Sequence, residues 1–220
     1  MKKVIIVTPH PDDETLGCGG TILRHKKEGD QVCWLIVTKM GDEFELSRRT
    51  KRNEEIERVK EMYGFDEVFQ LNFDAGALDR IPLGNIINEI SQCFNRFQPN
   101  IVYLPYRSDI HSDHKVVFDA TVACTKWFRY PFVNKVLVYE TLSETDFTIN
   151  PDSNHFHPNV FVDIAPYLEK KIEIMKVYES ELSEHPFPRS LRAIKSLAYL
   201  RGAAAGYEAA EAFMLLKERL

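Results

Sequence analysis

The chain has 220 residues, 44% of them hydrophobic and 28% charged, with a formal net charge of −5. This length and composition are typical of a soluble globular protein, and we expect a single domain over 1–220. The acidic balance disfavours a nucleic-acid-binding protein, because such proteins present basic surfaces to the phosphate backbone. No run approaches the roughly 20 apolar residues of a membrane-spanning helix, so we expect no membrane partner.

Short apolar runs rich in β-branched residues alternate with segments of helical periodicity. The apolar runs predict strands at 3–7, 31–38, 67–71, 100–106, 135–141 and 159–164. The periodic segments predict helices at 19–29, 47–64, 83–99, 112–128, 165–180, 189–206 and 207–220. The alternation predicts an α/β fold, with a mostly parallel sheet covered by helices on both faces and a helical C-terminal part. Residues 142–158 have no regular pattern and predict a surface loop near the site described next.

The first predicted strand ends in the polar segment "TPHPDDE" (8–14), and the fourth is followed by "RSDIHSDH" (107–114). Charge this dense costs free energy unless something neutralises it, and a metal ion would do so. The carboxyl ends of parallel strands lie at the same edge of a sheet, which is where open α/β proteins bind ligands. We therefore expect six side chains to meet in one cleft: His10, Asp12, Asp13, His111, Asp113 and His114.

Imidazole and carboxylate ligands suit zinc, and three protein ligands with one water leave a catalytic position open. A carboxylate beside such a water can accept its proton. Iron or manganese remains possible with the same donor atoms. The segment therefore indicates a metal-dependent hydrolase, although these residue types alone do not say which carboxylate is the ligand and which is the base.

Other polar features have ordinary structural interpretations. The "GCGG" segment lacks the G-x-G-x-x-G spacing of a phosphate-binding loop, and it predicts close packing of the first helix. We expect His25 to face solvent and His155, His157 and His185 to lie in loops. The charges of 48–61 predict a solvated helix face, within which Arg52 and Glu55 are spaced to pair. No G-x-S-x-G nucleophile motif occurs.

The cysteines bear on the compartment in which the protein works. The chain has four, and none forms a C-x-x-C pair, so neither a zinc knuckle nor a disulfide framework is indicated. Reduced thiols are typical of cytoplasmic proteins. We therefore expect a cytoplasmic location.

These motifs resemble those of the zinc-dependent N-deacetylases of the LmbE-like, or PIG-L, family. The resemblance rests on "PHPDDE" (9–14) and "HSDH" (111–114), and it extends to "VTKMGDE" (37–43), "RGAAAG" (201–206) and "AEAF" (210–213). It implies a Rossmann-like fold. It also implies hydrolysis of the N-acetyl group of a small substrate that contains N-acetylglucosamine, with release of acetate.

The resemblance also implies roles for individual residues. By motif, the zinc ligands are His10, Asp13 and His114. Asp12 corresponds to the general base that takes the proton of the activated water, and His111 to the group that stabilises the oxyanion. These two assignments give the adjacent aspartates different functions.

Weaker matches concern the surroundings of the metal and the substrate. Asp113 is expected to orient a histidine, and Arg52 and Asp74 are expected to contact sugar hydroxyls. Members of the family often assemble, so we expect a homo-oligomer. No membrane anchor precedes the first motif, unlike in the membrane-bound glycolipid enzymes, which favours a small soluble substrate.

Two alternatives remain at this stage. One keeps the metal but hydrolyses another amide, and substrate profiling would separate it from a sugar deacetylase. The other is a sugar-binding protein that retains the fold without turnover. The intact "HPDD" and "HSDH" segments count against the second alternative, because binding alone does not need a base beside a metal ligand.

Overall fold

The computed structural model describes residues 1–148 and 155–220, and its sheet joins strands from both ends of the chain. The seven strands lie in the order β3-β2-β1-β4-β5-β7-β6. They span Lys3–Thr8 (β1), Gln31–Lys39 (β2), Glu67–Asp74 (β3), Ile101–Pro105 (β4), Lys135–Tyr139 (β5), Val160–Asp163 (β6) and Ala210–Glu218 (β7). The first five strands pair in parallel, whereas β7 runs antiparallel to both β5 and β6.

Helices cover both faces of this sheet. They span Asp13–Lys27 (α1), Leu46–Tyr63 (α2), Leu83–Phe97 (α3), Ser112–Ala123 (α4), Leu168–Met175 (α5) and Leu191–Ala205 (α6). Apolar residues of α1, α2, α5 and α6 form one core cluster, and those of α3 and α4 form another. Successive side chains of a strand point to opposite faces of the sheet, so β1 contributes to both clusters. Val4 and Ile6 belong to the first cluster, and Ile5 and Val7 belong to the second. The predicted fold class is confirmed.

The final element corrects the prediction of a helix at 207–220, because Ala210–Glu218 forms the strand β7. Alanine, glutamate and leucine favour helices, so local propensity pointed the wrong way. The backbone of β7 pairs with β5 on one side and with β6 on the other. This pairing, together with the burial of Ala210, Ala212 and Phe213, outweighs the propensity.

Helix α1 begins at Asp13, earlier than the predicted start at residue 19, so Asp13 and Glu14 lie in its first turn and Asp12 directly precedes it. The glycines inside this helix permit close contacts, as predicted for "GCGG". A Cβ atom added to Gly17 would collide with the Tyr139 ring, and one on Gly20 would lie 2.5 Å from Ile164. The helix that carries Asp13 is therefore seated tightly against the sheet.

A buried ion pair also fixes α1. The Lys171 ammonium donates to Glu211 at 2.7 Å and to the Leu16 carbonyl at 2.9 Å. The Glu211 carboxylate in turn accepts the backbone N–H groups of Gly20 and Thr21, each at 2.8 Å. The pair thus links α5 and β7 to the helix that opens at the site.

We expect Lys171→Met to lower the free energy of unfolding by about 3–5 kcal/mol, because the change leaves the Glu211 charge buried without its partner. Lys195→Met is the matched control, since Lys195 pairs with the exposed Glu169 and should cost less than about 1 kcal/mol. Urea denaturation measures both. Equal losses in the two variants would contradict a bracing role for the buried pair.

His25 was predicted to face solvent, and this is wrong. Its ring is buried, with Nδ1 bonded to Asp30 at 2.9 Å and Nε2 to the Tyr103 hydroxyl at 3.2 Å. The error arises because the last turn of α1 packs against the amino-terminal edge of the sheet, a tertiary contact that helix periodicity does not reveal.

The predicted loops are confirmed where the structure describes them. Residues 142–148 and 155–158 contain no helix or strand, and the remaining part of the predicted loop, 149–154, lies outside the described residues. His155, His157 and His185 are exposed and lie outside helices and strands. Within the same described residues, no helix has both the length and the apolar character needed to cross a membrane.

Candidate active site

Two polar segments meet at one edge of the sheet because β1 and β4 are parallel neighbours. One segment follows β1, and the other follows β4. The centroid of the His10 ring lies 4.5 Å from that of His111 and 5.6 Å from that of His114. The strand order changes direction between β1 and β4, which is the usual ligand position in an open α/β sheet. The segments converge as the sequence predicts.

A cleft of about 240 Å³, partly open to solvent, lies over this edge. The two polar segments form its floor, and Met40 and Phe44 contribute apolar surface. Thr141 and Glu144, which follow β5, and Arg189, which precedes α6, also line the cleft. The cleft is therefore large enough for a small molecule and contains both polar and apolar contacts.

The turn between β1 and α1 separates the two adjacent aspartates. Asp12 has a φ of 126°, a backbone conformation that residues with side chains rarely adopt. Its backbone N–H donates to the Glu14 carboxylate at 3.0 Å, and Glu14 also accepts from the Tyr178 hydroxyl at 2.9 Å. Because Glu14 holds this turn, Asp12 and Asp13 reach different partners.

Asp13 lies between two histidines. Its Oδ2 atom is 3.5 Å from Nδ1 of His10 and 3.5 Å from Nε2 of His114. The other nitrogen of each ring bonds a carboxylate, His10 Nε2 to Asp113 at 3.0 Å and His114 Nδ1 to Asp109 at 2.7 Å. Carboxylates placed behind histidines in this way are typical of metal sites, where they fix the ring orientation.

These three side chains fit a divalent cation. Tetrahedral zinc with bonds of about 2.0–2.2 Å holds its ligand atoms roughly 3.3–3.6 Å apart, which agrees with the observed separations. The Nε2 atom of His114 is buried and has no hydrogen-bond partner among the described residues. A buried polar atom without a partner is costly, and coordination to an ion would satisfy it.

The electrostatics of the cluster also favour positive charge. Burial lowers the pKa of His10, but the carboxylates of Asp113 and Asp13 outweigh this effect and raise the pKa to about 10. Burial raises the pKa of Asp13, but His114 and His10 outweigh it and hold the pKa at about 2. The site therefore retains protons where ligand atoms converge, and a cation would displace them on binding.

Asp12 has a different environment. Its carboxylate accepts a hydrogen bond from Arg189 at 2.9 Å, and Arg189 also bonds Glu181 at 3.1 Å. Burial and the neighbouring Asp13 raise the pKa of Asp12 above its ordinary value, although the Arg189 guanidinium opposes them. A carboxylate with a raised pKa is a stronger base, so Asp12 suits proton transfer better than metal binding.

His111 and Asp113 stand at the start of α4. The Nδ1 atom of His111 accepts the backbone N–H of Asp113 at 3.2 Å, so a neutral ring carries its proton on Nε2. Burial lowers the pKa of His111, which favours the neutral form. A second group that could hold a metal consists of His10, His111 and Asp113. In that group Asp113 already accepts the N–H of Gly76 at 2.7 Å.

The two residues predicted to contact sugar lie in different places. Arg52 lines the cleft, donates to the carbonyl of Pro11 at 3.2 Å and pairs with Glu181. Asp74 is exposed at the end of β3, 3.6 Å from Lys39, and is not part of the cleft wall in the described chain. Its contact with substrate stays a prediction.

The comparisons with known proteins agree with the motifs. The family model described as PIG-L: GlcNAc-PI de-N-acetylase matches residues 5–125, which is more than half of the chain. The chain belongs to the PIG-L family. The matched region contains both polar segments, so the resemblance inferred from them is confirmed.

Two similar proteins are deacetylases by name, and a solved structure shares the fold. The diacetylchitobiose deacetylase of Thermococcus kodakarensis is 27% identical, over 96% of this chain and 82% of the relative. A Bacillus anthracis protein named probable N-acetyl-alpha-D-glucosaminyl L-malate deacetylase 2 is 22% identical, over 83% of this chain and 82% of the relative. The conserved protein TT1542 of Thermus thermophilus superposes with a TM-score of 0.81 at 25% identity, covering 100% of this chain and 97% of TT1542.

Several polar residues of the cleft were not identified from the sequence. Asp109 was quoted within the second segment, and its position after a strand could have suggested the bond to His114. Arg189 and Glu181 come from the connection before α6 and carry no local motif. Only the packing of α5 against α1, followed by the connection to α6, brings them to Asp12, so no sequence signal was available for them.

Proposed function

We propose that this protein is a metal-dependent N-deacetylase that releases acetate from a small compound containing N-acetylglucosamine. The observation that carries the proposal is the pairing of a His10, Asp13 and His114 cluster with a separate buried carboxylate, Asp12, at the same cleft. The deacetylase names of the relatives support the reaction and the sugar.

The proposed ion is zinc, held by His10, Asp13 and His114, with iron or manganese as alternatives. A divalent ion bound there would polarise the acetyl carbonyl and lower the pKa of a water molecule. The carboxylates of Asp113 and Asp109 hold the two histidine rings in the required orientation. Metal analysis of the purified protein identifies the ion.

Asp12 is the proposed general base, taking a proton from the water that attacks the acetyl carbon. Arg189 keeps the Asp12 carboxylate in place through the bond at 2.9 Å. His111 donates from Nε2 to the oxyanion, since its Nδ1 atom is occupied by the backbone of Asp113. Such a donor contributes roughly 3–4 kcal/mol in other enzymes. Asp12, protonated in the first step, then returns that proton to the departing amine.

Other properties of the proposal have weaker support. The free, buried cysteines are in keeping with a cytoplasmic location. Contacts of Arg52 and Asp74 with sugar hydroxyls, and assembly into a homo-oligomer, stay predictions. Light scattering during gel filtration tests the assembly directly.

We expect the protein to release acetate from N,N′-diacetylchitobiose or another small N-acetylglucosaminide, and we expect a chelator to abolish the reaction. An acetate assay on a panel of N-acetylated sugars and simple N-acetyl amines measures this. Reaction of the simple amides alone would favour hydrolysis of another amide. Absence of acetate from every substrate, with the metal bound, would favour a binding protein without turnover.

A further inference from the structure

The part of the cleft wall that follows β5 contains hydrogen-bonding groups that the proposed reaction does not use. Thr141 is 1% exposed, and its hydroxyl has no partner among the described residues. Glu144, three positions further along, is half-buried and lines the same cleft. A ligand bound in the cleft would supply the hydrogen bond that this buried hydroxyl lacks.

The carboxylate of Glu144 also differs from the others in the cleft. Asp12 and Glu181 are both paired with Arg189, and Asp13 lies against the histidines. Among the described residues, the carboxylate of Glu144 accepts a single hydrogen bond, from the neighbouring Ser143 hydroxyl at 3.3 Å, and no cation forms an ion pair with it. Most of its acceptor capacity is therefore available to a bound molecule.

Backbone and side-chain bonds hold this wall in a fixed position relative to the proposed metal ligands. The N–H groups of Glu144 and Thr145 donate to the Thr141 carbonyl at 3.1 and 2.9 Å, which closes a tight turn. The Thr145 hydroxyl donates to Asp109 at 2.6 Å, and Asp109 bonds His114. The turn is thus connected through two hydrogen bonds to a histidine of the metal cluster.

The charges around this wall select the class of ligand group. A carboxylate or phosphate would be repelled by Glu144, whereas the positive charge of Arg189 is already balanced by Asp12 and Glu181. A neutral hydroxyl can donate to the carboxylate and can also donate to or accept from Thr141. Neighbouring hydroxyls on a sugar ring satisfy both side chains together.

We propose that Thr141 and Glu144 form a subsite that recognises hydroxyl groups of the sugar ring and thereby determines the substrate specificity of the enzyme. This inference rests on the proposed function, since it names the part of the N-acetylated sugar that this wall contacts. Neither side chain takes part in proton transfer. Their loss should therefore act on substrate binding.

The test compares Glu144→Gln and Thr141→Val with wild type on a β-methyl N-acetylglucosaminide and on its 3-deoxy, 4-deoxy and 6-deoxy analogues. We expect Glu144→Gln to lower kcat/KM on the parent sugar by about 10- to 100-fold, mainly through KM, the usual effect of losing a hydrogen bond to a charged group. Thr141→Val should lower it by about 3- to 10-fold. At least one deoxy analogue should be a poor substrate for wild type.

The decisive measurement is whether the loss of kcat/KM caused by the variant adds to the loss caused by the deoxy analogue. If Glu144 contacts a given hydroxyl, removing the hydroxyl from the substrate should cost Glu144→Gln little beyond its existing loss. The controls are Glu208→Gln, an exposed carboxylate outside the cleft, and Thr121→Val, whose hydroxyl is also buried without a partner but lies in α4. Both should keep wild-type kcat/KM, and all variants should keep their metal.

The outcomes separate this inference from the function on which it rests. The subsite alone would be overturned if wild type turns over the sugar and both variants have a kcat/KM within twofold of wild type. Fully additive losses of kcat/KM for the variants on all three deoxy analogues would overturn it as well. A wild-type protein that releases acetate from no N-acetylated sugar would overturn the proposed function, and the subsite with it.

Discussion

Asp12→Asn is expected to keep its metal and to lose about 10²- to 10⁴-fold in kcat, the usual contribution of general acid–base catalysis. The asparagine side chain has nearly the same shape but cannot accept the proton of the attacking water. Its oxygen can still accept the hydrogen bond from Arg189, so the local structure should change little. The loss should therefore appear in kcat and not in metal content.

Asp13→Asn is the matched comparison, because it makes the same chemical change one residue further along. Asp13 lies 3.5 Å from a nitrogen of each of two histidines, so this variant should lose metal affinity. Emission spectroscopy and steady-state kinetics on both proteins test the pair of roles together. A metal-free Asp12→Asn, or one with near-normal kcat, would reverse or remove the assignment of Asp12 as base.

The position of the site could be predicted from the sequence because it depends on topology. Alternating strands and helices imply a parallel sheet, and a parallel sheet places the ends of β1 and β4 side by side. The polar segments that follow those strands were therefore bound to be close. The roles within them required the family resemblance, because adjacent aspartates such as Asp12 and Asp13 look alike in the sequence.

The remaining parts of the site depend on contacts that no short motif encodes. Arg189 reaches Asp12 because the connection before α6 folds back over the cleft, across 177 positions of sequence. Glu144 belongs to a segment whose sequence indicates only a loop. The strand β7 was missed for a related reason, since its pairing with β5 and β6 is decided by the sheet and not by its own residues.

The backbone conformation of Asp12 explains how two adjacent aspartates can have different functions. A φ of 126° is costly for a residue with a side chain, and strain of this kind persists only where the surroundings enforce it. Glu14 enforces it by accepting the Asp12 N–H, and the Lys171 and Glu211 pair fixes the helix that follows. The strained turn gives adjacent carboxylates two environments, which is what separates a ligand from a base.

Replacing a metal ligand should also have a large effect, on the amount of bound metal. His114→Ala should reduce the bound metal from about one ion per chain to a small fraction, because it removes one of three protein ligands. The affinity loss should exceed the roughly 10- to 100-fold that follows when only a residue bonded to a ligand is changed, and Asp109→Asn provides that comparison. Plasma emission on protein dialysed against a weak chelator measures the occupancy of each variant.

His111→Ala is the control that decides between the two groups of the cleft that could hold the metal. If the ion binds His10, Asp13 and His114, then His111→Ala should keep its metal and lose activity, because only an oxyanion donor is removed. If the ion instead binds His10, His111 and Asp113, then His114→Ala should stay fully loaded and His111→Ala should be empty. The Nε2 atom of His114 leads us to expect the first pattern, since it is buried and no described residue offers it a hydrogen-bond partner.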